Sequence, residues 1–331
     1  MSASTDDAGV SANTKVRMLI VLEEDAGQRL DNFLLRHLKG VPKSKIYKVI
    51  RKGEVRVNKG RVKPDYRVRA NDSVRIPPIR TADRNEGAGS ENYPKIEIIH
   101  ETDGWCAVNK PAGLAVHGGS GIGPGLIERL RLQRPECKRL ELVHRLDRGT
   151  SGVLLIAKKR AELVHLQSLF REKEQLDKRY IACVIGRWLG HTTELRCPLE
   201  RSEERSDGRF VRVSKSGKSA HTRFGVLCAS EQLSLIQASP VTGRTHQIRV
   251  HARYLGHPLA GDDKYGVDEL NKDLLKMGLN RLALHAAQLT FTDSLQSLYT
   301  ITAPIPRELT RFFTKAGLLV TDLPTKLSES L

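Results

Sequence analysis

The ten residues VHRLDRGTSG, at positions 143–152, constrain the fold of this chain more than any other stretch. They end where an unbroken apolar run, residues 153–157, begins, so a polar turn that contains glycine leads directly into a buried strand. Within the turn, Asp147 lies between Arg145 and Arg148, and nearby cations favour the charged form of a carboxylate. Such an acid is either a salt-bridged loop residue or the centre of a reactive site.

Around that turn the chain alternates short β-type runs with few helices. Amphipathic spacing predicts helices over residues 161–173 and 245–255. A strand-rich order without regular β-α-β alternation predicts an α+β domain with a mixed, largely antiparallel sheet flanked by helices and loops. The predicted strands are residues 96–99, 105–108, 153–157, 180–185, 224–227 and 233–236.

The charge is concentrated ahead of this domain. The 331 residues carry a net +17, and residues 27–80 hold 16 Lys or Arg against four Asp or Glu, which is a net of +12. A basic excess of this density indicates contact with a polyanion such as RNA. The cations that we expect to contact phosphate are Arg29, Lys43, Lys45, Lys48, Arg51, Lys52, Arg56 and Lys59.

The basic segment also has the pattern of a small folded unit. Helical spacing of apolar residues predicts one helix from Leu30 to Leu38 and a second that Ser44 would cap. Valines at 55, 57 and 62 around Asn58-Lys59-Gly60 predict a short hairpin. The predicted organisation is an N-terminal tail and lead-in strand (1–26), a small α+β RNA-binding domain (27–78), a linker (79–95), a catalytic domain (96–323) and a tail (324–331).

Membrane and export functions are not expected. The strongest apolar runs, residues 18–22 and 153–157, have five residues each, whereas spanning a bilayer takes about 20. Residues 1–15 lack the features of a signal peptide. The five cysteines are odd in number and widely spaced, which is typical of reduced thiols. We therefore expect a cytoplasmic protein.

Two further motifs lie in the catalytic domain. The first is the run VTGRTHQIRVH, residues 241–251, where a turn enters a helix, and the second is the glycine-rich loop after residues 109–113. Neither matches a nucleotide-phosphate loop, and no G-x-S-x-G occurs. No acid or cysteine completes a zinc spacing with His246, His251 and His257, so we expect capping, stacking or core hydrogen bonds from them and no metal.

The basic domain resembles a known RNA-binding fold. Its Arg29-Leu30-Asp31 start and the segment GEVRVNK, residues 53–59, are similar to the domain first named for ribosomal protein S4. That resemblance implies RNA binding and no chemistry of its own.

The catalytic domain resembles the RluA-type pseudouridine synthases. The resemblance rests on three separated motifs in the family's order, residues 144–152, 178–180 and 243–249. It implies the pseudouridine synthase fold, a monomer without a cofactor, and a uridine in 23S ribosomal RNA of the large subunit as the substrate. One departure is Gly149, where the family has Asp, which leaves Asp147 as the only acid of the turn.

The resemblance also implies roles for individual residues. Asp147 would be the catalytic carboxylate, paired with Arg244; whether it attacks the ribose, attacks the base or removes a proton stays open. Tyr180 would stack on the uracil and help to move the proton of carbon 5, beside the apolar Ile248. Arg145, with His144, would occupy the space left by the flipped nucleotide.

Two other classes of function remain as alternatives. A non-catalytic RNA clamp would use both domains for binding, but a buried carboxylate on a phosphate path would repel its ligand. A nucleotidyltransferase or hydrolase would need a pair of acids for Mg²⁺. The adjacent pair Asp262-Asp263 is the candidate, although we expect it to form a polar turn before Lys264-Tyr265-Gly266.

Overall fold

The computed structural model describes residues 16–38, 41–79, 93–118, 123–172, 176–190, 192–202 and 210–318. The chain separates into two compact units, residues 1–92 and residues 93–331. The N-terminal tail up to residue 15, most of the predicted linker 79–95 and the predicted tail 324–331 lie outside the described residues.

Unit 1, residues 1–92, packs two helices on a small sheet. Its elements are β1 (Arg17–Ile20), α1 (Leu30–His37), α2 (Lys43–Arg51), β2 (Arg56–Val57) and β3 (Ser73–Ile76). Strand β3 lies in the middle and pairs antiparallel with both β1 and β2. The predicted apolar faces form the core: Leu30, Phe33 and Leu34 of α1 contact the cluster that includes Ile46 and Ile50 of α2.

One local prediction in unit 1 is wrong, and another holds only in part. Ser44 does not cap α2, because the helix begins one residue earlier at Lys43, behind Pro42, and the cap position makes no side-chain hydrogen bond. The predicted hairpin forms as a tight turn at Asn58 and Lys59, closed by an antiparallel bridge between Val57 and Gly60, but beyond it β2 pairs with β3 and not with the segment around Val62. That segment runs into Pro64, which has no N–H to donate to a ladder.

Unit 2, residues 93–331, is built on a large mixed sheet. Its strands are β4 (Glu97–Glu101), β5 (Trp105–Lys110), β6 (Glu141–Leu142), β7 (Ser151–Ala157), β8 (Leu176–Ile185), β9 (Thr192–Leu195), β10 (Leu199–Ser202), β11 (Phe210–Val213), β12 (Thr222–Ala229), β13 (Leu233–Pro240), β14 (Leu284–Thr292) and β15 (Leu298–Thr302). Its helices are α3 (Leu126–Gln133), α4 (Arg160–Glu172), α5 (Gln247–Tyr254), α6 (Asp268–Lys276) and α7 (Arg307–Lys315).

The main sheet has the order β4-β5-β7-β14-β8-β13-β12-β9, with β15 on β14 and β6 on β7. Among the strand pairs of the described residues, only β7 and β14 run parallel. Strands β10 and β11 form a separate antiparallel ribbon. The predicted α+β class and the mixed, largely antiparallel sheet are therefore confirmed, and each of the six predicted strands and both predicted helices exist with slightly different bounds.

Strand β8 shows how the sheet separates two cores. Ile181 and Cys183 face the cluster that contains Phe312 and Phe313 of α7. Ala182 and Val184, on the opposite face because side chains alternate along a strand, contact the cluster that includes Ile248 of α5. Tyr180 shares the second face and packs at the edge of that cluster. The fold thus brings the Tyr180 strand and the α5 helix onto one side of the sheet.

Within the described residues, no helix is both long enough and apolar enough to cross a membrane.

Candidate active site

The turn that carries Asp147 is fixed by backbone hydrogen bonds. The carbonyl of Asp147 accepts the N–H of Thr150 at 3.1 Å. The carbonyl of Arg148 accepts the N–H of Gly113 at 2.8 Å and the ammonium of Lys110 at 3.2 Å. The glycine-rich loop after β5 therefore anchors the Asp147 turn, which connects two of the three sequence motifs.

Lys110 is the anchor that sequence reasoning missed. Its side chain is fully buried, and Nζ also donates to the carbonyls of Pro111 (2.9 Å) and Leu114 (2.8 Å). Burial, and then the charge of Arg281, lowers the pKa of Lys110 to about 7, while the charge of Asp147 opposes the shift. The signal in the sequence was a lysine that ends an apolar strand, where a cation needs acceptors.

Gly152 fixes the far end of the turn. It pairs with Ala286 where β7 runs parallel to β14. Its φ of 111° is rarely open to other residues, and a Cβ there would lie 2.1 Å from the carbonyl oxygen of Ala286. The glycine at the end of VHRLDRGTSG is thus required by the close approach of two strands.

The opposite wall of the site is the start of α5, and Gln247 holds it. Its Oε1 accepts the hydroxyl of Thr242 (2.6 Å) and the N–H of Arg244 (3.0 Å). Its Nε2 donates to the carbonyl of His221 and the hydroxyl of Thr222, both at 2.8 Å. This buried amide therefore satisfies hydrogen-bonding groups of the turn on one side and of His221 and Thr222 on the other. These bonds fix the direction in which α5 begins.

His246 stands directly against Asp147. It has a left-handed backbone (φ 54°), and its Nε2 lies 3.9 Å from Oδ2 of Asp147, with the two side chains 13% and 21% exposed. Its Nδ1 is 2.7 Å from the hydroxyl of Tyr265, which accepts the N–H of Val211 at 3.0 Å. The hydroxyl of Tyr265 thus holds the imidazole ring through Nδ1 and leaves Nε2 turned toward the carboxylate.

Arg249 is the arginine of this motif whose charge acts on Asp147, and the expected ion pair of Arg244 with Asp147 is not formed in this structure. Within the described residues Arg244 makes no ion pair, and its Nε donates to the carbonyl of Ser219 at 3.0 Å. Arg249 is buried and forms two hydrogen bonds to Asp262, at 2.7 and 2.6 Å. Burial opposes the shift, but Asp262 first and Asp147 further raise the pKa of Arg249.

Tyr180 and Ile248, for which the resemblance implies contact with the uracil, lie together on the face of the sheet that carries α5. Ile248 is 6% exposed, and Tyr180 packs against the same cluster. Burial, and then the charge of Asp147, raises the pKa of the Tyr180 phenol. The side chain is therefore a neutral hydrogen-bond donor at physiological pH.

Arg145 and His144 have different surroundings in the structure. Arg145 is exposed and makes no hydrogen bond or ion pair with the described part of the chain. His144 instead stacks on Phe170, with ring centroids 4.3 Å apart, and its Nε2 accepts the N–H of Leu155 at 3.1 Å. Burial, and then Lys178, lowers the pKa of His144 to about 3. This neutral ring anchors the turn, so its predicted contact with substrate has no geometric support.

The other histidines and the acid pair have structural roles. His251 is buried between the hydroxyl of Thr222 and the carbonyl of Cys197, each at 2.9 Å. His257 stacks on Trp188. Asp262 also accepts the N–H groups of Lys264 and Tyr265 at 2.9 Å. The expected polar turn at 262–266 is confirmed, and both carboxylate oxygens of Asp262 already bind protein donors.

Unit 1 presents the predicted cations to solvent. Seven of them, which we call the basic face, are exposed on α2, at the residue after its end, on β2 and in the turn after β2. Within the described residues, Lys52 is the only member with an ion pair, to Glu54 at 3.8 Å. Arg29 differs, because it forms two hydrogen bonds to the buried Asp31 and so stabilises the start of α1. The basic face comprises Lys43, Lys45, Lys48, Arg51, Lys52, Arg56 and Lys59.

An α+β fold with a mixed sheet, a lone acid at a strand entrance and a separate basic unit together define an RNA-modifying enzyme of the pseudouridine synthase class. The model of the RNA pseudouridylate synthase family matches residues 104–254, and that of the S4 domain matches residues 28–74.

Similar proteins carry the assignment further. The chain is 52% identical over 284 residues to "Ribosomal large subunit pseudouridine synthase C" of Haemophilus influenzae, covering 84% of this chain and 88% of that protein. It is 50% identical over 308 residues to the protein of the same name from Escherichia coli K12, covering 91% and 96%. The chain belongs to the RNA pseudouridylate synthase family.

A solved structure supports the fold. "Human RNA Pseudouridylate Synthase Domain Containing 1" aligns with a TM-score of 0.58 at 24% identity, covering 74% of this chain and 96% of that one.

Proposed function

We propose that this enzyme converts uridine to pseudouridine in 23S ribosomal RNA of the large subunit, in the cytoplasm, with Asp147 as the catalytic carboxylate. The observation that carries the proposal is the setting of Asp147, which is partly accessible and faces His246 at 3.9 Å and the positive charge of Arg249. The names and coverage of the two relatives support ribosomal RNA as the substrate.

The reaction defines what the pocket must do. The bond from C1′ of ribose to N1 of uracil breaks, the base turns, and C1′ bonds to C5; C5 loses a proton and N1 gains one. No electrons are exchanged with another molecule, so positioning and exclusion of water are the main requirements. A pocket that retains the free uracil while it turns meets both.

The residues of the pocket divide these tasks. The charge of Arg249, and His246 at 3.9 Å, orient the carboxylate of Asp147. Tyr180, as a neutral phenol, stacks on the uracil and offers a hydrogen bond, while Ile248 keeps that side apolar. Arg145, which is exposed and makes no hydrogen bond or ion pair with the described residues, fills the gap left by the flipped nucleotide, whose unstacking costs a few kcal/mol.

The test is release of tritium from a 23S transcript that carries uridine labelled at carbon 5. Asp147→Asn keeps the shape of the side chain and removes its charge, so we expect release to fall to background while filter binding of the transcript persists. The matched control is Asp103→Asn, an exposed aspartate in the turn between β4 and β5, which should release tritium like the wild type. Full release by Asp147→Asn would overturn the assignment.

A second measurement addresses the substrate. Pseudouridines in ribosomal RNA are mapped in cells with and without the gene. We expect sites in 23S RNA to disappear with the gene; loss confined to transfer RNA would contradict the proposed substrate.

A further inference from the structure

A cavity of about 600 Å³ lies in unit 2 between the β10–β11 ribbon and the end of α5. Its walls include Phe210, Arg212, Arg253, Tyr254 and Tyr265. Small-molecule sites typically have volumes of about 300–1,000 Å³. None of the three sequence motifs explains this cavity, and the chemistry proposed for Asp147 does not use it.

The cavity offers aromatic surface to a flat ring. Phe210 and Tyr265 pack edge to face, with centroids 5.4 Å apart. Tyr254 is 59% exposed at the end of α5, which leaves a large aromatic side chain open to solvent. Exposed aromatic side chains beside cations are what proteins use to stack unpaired bases, because every base has a π-face.

Its charged groups suit a phosphate. Arg253 is exposed and forms no ion pair within the described residues, so its guanidinium is available. Lys264, which is not part of the cavity wall, holds its ammonium 5.5 Å from the ring centroid of Phe210 and adds positive charge beside it. Guanidinium groups bind phosphate in a bidentate manner.

Tyr265 joins this cavity to the candidate active site. Its ring lines the cavity, and its hydroxyl holds His246, whose other nitrogen faces Asp147. Tyr265 and His246 therefore lie between the cavity and Asp147. Because two side chains link the cavity to the candidate catalytic acid, a nucleotide adjoining the target uridine is the occupant that we infer.

We propose that this cavity binds an unstacked nucleotide that flanks the target uridine in the same RNA strand, with its base on Tyr254 and Phe210 and its phosphate at Arg253. The inference rests on the proposed function, because it takes RNA as the substrate. The cavity would then contribute to the choice of site through the nucleotides around the uridine.

The first test separates binding from chemistry. We expect Tyr254→Ala to weaken filter binding of an unmodified 23S transcript about 5- to 150-fold, the range that stacking one base corresponds to. Tyr254→Phe, which keeps the ring, should bind like the wild type. Arg253→Ala should bind the transcript more weakly than the control variant Arg171→Ala, in which an exposed arginine of α4 is replaced. Tritium release in a single turnover with saturating enzyme should be retained. Unchanged binding by Tyr254→Ala and Arg253→Ala would overturn the proposal.

The second test locates the contact directly. A 23S transcript substituted with 4-thiouridine is irradiated with the full chain, and cross-linked peptides are identified by mass spectrometry. Adducts on Phe210 or Tyr254 support the site; adducts elsewhere in unit 2 with none here refute it. Asp147→Asn should give the same adducts. If the wild type forms no pseudouridine in the transcript, the proposed function fails, whereas the cross-link still reports on the cavity.

Discussion

The basic face of unit 1 and the Asp147 pocket of unit 2 use charge in opposite ways. On the basic face the cations are exposed, and all but one are without an acidic partner among the described residues. In the pocket, Arg249 is buried against Asp262 and Lys110 against three carbonyls. Exposed, unbalanced charge attracts a polyanion at long range, whereas buried, matched charge holds a few atoms in fixed positions. The charge on the basic face is therefore suited to the proposed docking of RNA, and the buried charge around Asp147 to the proposed chemistry.

The largest effect is expected from breaking the buried charge pair. Arg249→Met leaves Asp262 buried without its partner, so we expect unit 2 to lose about 3–5 kcal/mol of unfolding free energy. Both tryptophans of the chain, Trp105 and Trp188, lie in unit 2, so urea unfolding followed by their fluorescence reports on that unit.

The matched control is Arg196→Met, whose side chain is 70% exposed beside Glu194. An exposed pair contributes about 0–1 kcal/mol, so this variant should unfold close to the wild type. Equal losses in the two variants would contradict the contrast between buried and exposed charge.

Substitutions on the basic face should change how strongly the affinity for RNA depends on salt concentration. Replacing Lys43, Lys48 and Arg51 with alanine removes up to three phosphate contacts, which should lower the slope of log affinity against log salt by about 2–3. Filter binding of the 23S transcript at several salt concentrations measures the slope, and single-turnover tritium release at saturation should persist. A triple control at Arg171, Lys272 and Lys315, exposed cations of unit 2, should keep the slope. An unchanged slope in the first variant would remove the docking role.

Lys110 should make the stability of unit 2 depend on pH. Its pKa is about 7 in the folded chain against 10.5 for the ordinary side chain, so between these values the unfolded chain binds more protons. The contribution of Lys110 to stability therefore rises as the pH increases from about 7 toward 10 and is lowest, and constant, below about 7, where both states bind the proton. Compared with Lys110→Met, which lacks this titration, the wild type should gain unfolding free energy between pH 7 and pH 9. A constant difference would show that the ammonium keeps its proton.

The smallest effect is expected at Gly149, where the family has an acid. Its φ is not in the left-handed region, and a Cβ would meet Leu282 at 3.4 Å, close to ordinary contact. We expect Gly149→Ala to change the unfolding free energy by less than about 0.5 kcal/mol, as surface substitutions do, and to retain tritium release. Loss of release with an intact fold would show that the turn needs glycine for chemistry.

Local pattern was sufficient for the fold class and for six of the twelve strands and two of the five helices that the structure describes in unit 2. The run after VHRLDRGTSG became β7, which is buried along its whole length, and the periodicity of residues 161–173 became α4. Strand β14, which joins β7 to β8, was not predicted, and contacts between distant segments could not be predicted from local pattern. GRTHQIR offers two arginines, one in a turn and one in a helix, and the spacing alone does not say which one is buried beside Asp262.

The sequence by itself determined that the chain has a basic unit and a strand-rich unit, because charge density and hydrophobic periodicity are local properties, and the resemblance of their motifs added the expectation of RNA binding and catalysis. The tertiary structure alone decided that Lys110 anchors the Asp147 turn, that Tyr265 holds His246 beside Asp147, and that Arg249 is buried in ion pairs with Asp262 and Asp263. Each of these depends on which segments the sheet brings together, and that pairing is settled by packing across the whole unit.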